Sequence, residues 1–161
     1  MTIPVSVTPT VISKLATLIE AQVATDADAA NILVTIGEPG PDDPDVIIEI
    51  GSNVQRHLTP GAFVGGGGLY HLEENIDVDI HVSVAAAVDA ATGDTDRLTL
   101  VDRLWTIVGY VETAVRTDPS LGGIVDEAEP SATTGSHPVW SENRAGMICE
   151  ADITVHCTVL N

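Results

Sequence analysis

Residues 75–88 read NIDVDIHVSVAAAV. Ile76, Val78, Ile80, Val82 and Val84 alternate with Asp77, Asp79, His81 and Ser83, and a strict period of two makes a strand with one apolar and one wet face. The apolar face of such a strand needs a cover, and helical patterns lie on either side to supply one. Downstream, residues 92–119 switch to a spacing of three and four, with Leu100, Leu104, Ile107, Val108, Val111 and Val115 on one stripe. Thr95 or Asp96 is suited to cap this helix, and Pro119 bars its continuation. Upstream, residues 8–23 form a first helix, with Thr8 as the expected N-cap, Pro9 in the first turn and Ile12, Leu15, Leu18, Ile19 and Val23 on one face.

The remaining alternations are strands. NILVTIG (31–37) and DVIIEIG (45–51) flank EPGPDDPD (38–45), where three prolines exclude regular structure. Residues 52–71 show no sustained period and read as one long connection, of the kind that in compact domains carries function. After the second helix, LGGIVDEAEP (121–130) reads as a short strand leading into turn-rich residues 131–146. The run MICEADITVHCTVL (147–160) then closes the chain as a second two-faced strand. The expected fold is α+β, a mostly antiparallel sheet with two main helices packed on one face, in a single domain over residues 1–161. At 161 residues, about 68 to 70 per cent of the unfolded surface can be buried without staples.

Composition narrows the function. Twenty-four acidic residues face six basic ones, a formal charge of −18, so a free-standing nucleic-acid binder is excluded for want of clustered Lys and Arg. The near absence of lysine fits either a halophilic source, where salt screens self-repulsion, or an acidic mesophilic protein. Cys149 and Cys157 lie eight residues apart in one strand, on the same face and roughly 26 Å from each other. They cannot bridge, and read as buried thiols of a reducing compartment. The first ten residues lack a basic region and a long apolar core, so no signal peptide is expected, and no stretch approaches the roughly 20 apolar residues of a membrane span.

Gly65, Gly66, Gly67 and Gly68 do not make a phosphate loop: no Lys-Ser or Lys-Thr follows them, and they lead into a strand, not a helix N-terminus. They read as a flexible docking loop with Phe63, Leu69 and Tyr70 as apolar anchors. Asp77, Asp79 and His81 share a strand face, but residues two apart on a strand stand about 6.6 Å from one another, too wide to close on one metal ion unaided. His71, Glu73 and Glu74 precede them, while His137 and His156 show no carboxylate at ligand spacing; no metal is expected. A nucleophile elbow and a flanked catalytic cysteine are both missing from the sequence, so no cofactor and no enzymatic activity are expected. Trp105 and Tyr110, off the main stripe of their helix, read as rim packing or as subunit-interface residues.

From the second helix through Asp118, Pro119, Ser120, Leu121, Gly122 and Gly123 to the last strand, the chain resembles the tail-terminator, or tail-completion, proteins of long-tailed double-stranded DNA viruses. The similarity covers roughly residues 71 to 161, and the order of elements fits over the whole chain; residues 24–70 have no counterpart in it. The resemblance implies a virion protein of the tail and neck, assembled in the host cytoplasm as a homo-hexameric ring that caps the tail tube protein and meets the head-tail connector or stopper protein. DNA would pass through the channel without specific binding. It further implies that Asp77, Asp79 and His81, with Glu150 and Asp152, face the lumen. Another neck component or a tail-tube protein is the neighbouring alternative, and a soluble small-ligand-binding α+β domain the alternative of a different class.

Overall fold

The computed structural model describes residues 6–40, 44–60, 72–87, 93–141 and 146–160. In chain order the elements are α1 (Thr8–Val23), a 3-10 turn (Ala29–Asn31), β1 (Ile32–Ile36), β2 (Val46–Pro60), β3 (Leu72–Ala86), α2 (Gly93–Thr117), β4 (Glu127–Gly135), β5 (Val139–Trp140) and β6 (Met147–Leu160). They form one six-stranded sheet in the order β1-β2-β3-β6-β4, with β5 also paired to β6. Among the described residues only β1 and β2 run parallel, and the other pairings are antiparallel. The α+β architecture is the one the alternation in β3 demands.

β3 lies at the centre. Ile76, Val78, Ile80, Val82 and Val84 are buried, and so are Cys149, Ala151, Ile153, Val155, Cys157 and Val159 on the neighbouring β6. Both helices lie over this face, bringing Val11, Leu15, Ile19 and Val23 from α1 and Leu100, Leu104, Ile107, Val108, Val111 and Val115 from α2 into one apolar cluster. On α1 the expected face is the buried one: Leu15, Ile19 and Val23 lie in the core, Ile12 and Leu18 pack partly buried at its edges, and Val11 and Ala16 complete the stripe. Both cysteines sit in this core as free thiols.

Four expectations need correction. The short strand expected over 121–130 runs instead as β4 from Glu127 to Gly135, five residues into the stretch read as turns, and β5 follows at Val139–Trp140. Residues 52–71 are not one connection, because β2 continues as a strand to Pro60, which pairs with Leu72 of β3. The alternation is lost there because β1 pairs only with Val46–Ile50. A register shift after Ile50, beside Gly51 at φ 80°, leaves residues 52–59 at the sheet margin, where Val54 still packs against the core but most side chains are exposed. Thr8 is the first residue of α1 and not its cap; Val7 holds the cap position with no side-chain bond, and Ser6 Oγ instead accepts from the Thr8 amide at 3.1 Å. Thr95 and Asp96 both fall inside α2, which begins at Gly93.

Candidate assembly surfaces

The face of the sheet turned away from the helices is built from the polar half of each alternating strand. Register sets Asp77 opposite His156, Asp79 opposite Thr154, His81 opposite Asp152 and Ser83 opposite Glu150. Directly opposed residues on adjacent strands have Cβ atoms about 5 Å apart, so each carboxylate meets a donor from the next strand. His156 Nδ1 stands 2.6 Å from Asp77 Oδ1, and His81 Nδ1 stands 2.8 Å from Asp152 Oδ1. A carboxylate can only accept, so Nδ1 carries the proton in both rings. Asp79 takes Thr154 Oγ1 at 2.7 Å and Asn53 Nδ2 at 2.9 Å, and Glu150 Oε1 lies 3.7 Å from His81 Nε2.

The five residues Asp77, Asp79, His81, Glu150 and Asp152 thus share one surface, as the alternation requires. That surface is a lattice of paired acids and donors and not a bare row of charge. Its pairs were invisible in the linear sequence because His156 and Asp77 are 79 residues apart and only strand register joins them. Among the described residues no group of three or more His, Cys, Asp or Glu is placed to hold a metal ion. The docking-loop candidates Phe63, Gly65, Gly66, Gly67, Gly68, Leu69 and Tyr70, together with His71, lie outside the described residues.

Two polar clusters tie the chain together behind this face. Asp26, just beyond α1, accepts Arg103 Nη1 at 2.6 Å, Arg103 Nη2 at 3.2 Å, Tyr110 Oη at 2.9 Å and the Asp28 amide at 2.7 Å. The Arg103 hydrogen bonds, helped by the Asp28 amide, hold its carboxyl down at about 2. Tyr110 therefore closes a contact within the subunit, whereas Trp105 stays half-exposed against Gly135, where a Cβ would come within 3.0 Å of its ring.

Glu74 is the second cluster. It has the same parity as Ile76 and Val78 and points into the core, fully buried, where Arg56 Nε and Ser6 Oγ each donate to Oε1 at 2.7 Å. Burial is the strongest single influence on this carboxyl and pushes it up; the Arg56 and Ser6 hydrogen bonds, with the guanidinium charge, together outweigh it and leave the group below its ordinary value. An acid in core phase two residues before Ile76 was the signal in the sequence that could have located it.

The turn 118–123 that ends α2 has an unusual backbone. Leu121, Gly122 and Gly123 occupy successive left-handed conformations, with φ of 49°, 72° and 81°. Glycine adopts that region freely, but Leu121 does not, and its side chain is fully buried in the core in compensation. Ser120 O receives the amides of Gly123, Ile124 and Val125, and Pro119 O receives that of Ala128 at 2.6 Å, which starts β4 back along β6. The Gly122 amide, the leading influence, and the Ser120 hydroxyl both donate to the Asp118 carboxylate, with Lys14 of α1 close by, and lower its pKa. The sequence showed Pro119 barring continuation of the helix; the left-handed Leu121 had no signal in composition or period.

No model of a known family matches the chain, and no curated protein matches it. Among solved structures it is similar to a chain of the virion of a native gene transfer agent (GTA) particle, at 10% identity over 91% of this chain and 95% of that one, with a TM-score of 0.32. At that level the likeness decides nothing about what this chain does.

Proposed function

We propose that the chain is a structural virion protein that assembles with copies of itself into a ring capping the tail tube and joining it to the head connector. The observation that carries this is the Asp118–Gly123 turn. It is the motif of the tail-terminator resemblance, and here it folds β4 back onto β6 through a left-handed run anchored to both helices. The helix-strand-helix-strand order around a central two-faced sheet also supports it. No step of this role requires a reaction.

The lattice of Asp77, Asp79, His81, Glu150 and Asp152 is assigned to the channel side, where a phosphate-repelling surface lets DNA pass without sticking. Replacing Asp77 and Asp79 by Lys is expected to leave the fold intact and slow genome ejection; ejection at the normal rate in low salt would remove the lattice from the channel. The role itself is tested by withholding the chain from the assembling virus. Accumulation of unjoined heads and tubes, reversed by supplying the chain, is the expected result, and normal particles formed without it would overturn the proposal.

A further inference from the structure

The two margins of the sheet differ from its faces in charge and in protection. β1 pairs only with β2 among the described residues. Its residues Ile32–Ile36, like the whole run 29–37, carry no charge in a chain whose formal charge is −18. β1 also lacks the usual guards of a sheet margin, an inward charge, a lysine, a proline or a bulge, and it ends on Ile36, 57% exposed.

The opposite margin is guarded most heavily over its first half, and in the second only Pro138, directly before β5, interrupts it. In β4, Pro130 and the register shift between Pro130 and Ala132 interrupt the first part. Beyond them residues 131–140 contain no carboxylate and lie almost wholly exposed, ending on Val139 and Trp140 at 45% and 44%. Trp105 of α2 leans on Gly135 beside them.

Resting on the ring reading, we propose that these two margins are the two halves of one head-to-tail interface. The β1 margin of one copy, with Ile36, meets the β4–β5 margin of the next, with Trp105, Val139 and Trp140, and carries the sheet across the subunit boundary. The occupant is a second copy for an electrostatic reason. Two chains of −18 repel wherever carboxylates face each other, and the uncharged margins are where contact adds least repulsion. Aromatic residues held at an uncharged margin are the composition of an interface centre. Two different complementary surfaces on one subunit generate a ring when the rotation closes.

The test uses Ile36→Glu and Trp140→Glu, both at exposed positions and both acidic, so that the altered margins cannot attract each other. Each is checked by its circular dichroism melt, with Thr35→Glu and Val139→Glu as replacements for a variant that fails to fold. Sedimentation in about 1 M salt, where the Debye length is about 3 Å, removes most of the self-repulsion. Each variant alone is expected to sediment as a monomer, and their equimolar mixture as a heterodimer, because each keeps the margin the other lacks. Oligomers from Trp140→Glu alone, with none from the mixture beyond it, would mean β1 pairs with β1 and would overturn the proposal. Unchanged oligomers from both variants would place the interface elsewhere and overturn it while leaving the ring reading intact. A monomeric unaltered chain at the same salt would defeat both.

Discussion

The cluster at Asp26 sets a measurable share of stability. Its carboxylate is 6% exposed, receives both terminal nitrogens of Arg103 as well as Tyr110 and the Asp28 amide, and titrates at about 2 against an ordinary 3.8. A difference of that size corresponds to about 2 kcal/mol favouring the ionised, folded state. Because the folded value is depressed, this contribution is fully present above the unfolded value near 4 and is lost as the pH falls through about 2. Asp26→Asn keeps the shape, removes the charge and leaves Arg103 without its partner. Urea titration at pH 7 should show it less stable than the unaltered chain by roughly 2–3 kcal/mol, with the deficit shrinking below pH 4 and nearly gone at pH 2. Equal stability at pH 7, or a deficit that persists undiminished at pH 2, would refute the assignment of this energy to the ionised cluster.

Other predictions follow from single positions. Gly109, inside α2 with nothing within 4 Å of a built Cβ, should gain about 0.5–1 kcal/mol as Gly109→Ala in a urea titration. Gly146→Ala should lose on the order of 1–3 kcal/mol by the same measurement, because its Cβ would collide with the Ala86 carbonyl oxygen. Burial, with the Asp77 charge adding to it, pushes the Cys157 thiol up to about 12. Since that folded value lies above the unfolded one, stability should fall as the pH rises beyond about 9, and Cys157→Ser should flatten the decline in a thermal scan from pH 8 to 11. At pH 8 alkylation of Cys157 should track unfolding, with mass spectrometry finding it unlabelled in the native chain.

Much of this fold could be read from period alone. β3 and β6 bury one face each along their whole length, so hydrophobicity alternates without a break, and α2 buries the stripe its spacing displays. The second half of β2 was missed for the same physical reason: beyond Ile50 it has no partner on its outer side among the described residues and few buried side chains, so little constrains its residues to alternate. The candidate surface was half legible. Period put Asp77, Asp79 and His81 on one face and Glu150 and Asp152 on another strand's polar face, but their pairing with His156, Thr154 and each other depends on register. The Asp26–Arg103–Tyr110 and Glu74–Arg56–Ser6 clusters join residues 77 and 68 positions apart and had no local spacing to reveal them. Of the two readings of Tyr110, rim packing or a subunit interface, its place at the core edge and its bond to Asp26 fit rim packing, but no local spacing pointed to Asp26.

Assembly of this chain with itself into a closed ring can be measured by light scattering of the purified chain in about 1 M salt, where self-repulsion is screened. The expected result is one species at a fixed multiple of the 16.8 kDa chain mass, sixfold for the hexamer, that dissociates as the salt is lowered. A strict monomer at every salt and protein concentration would contradict it.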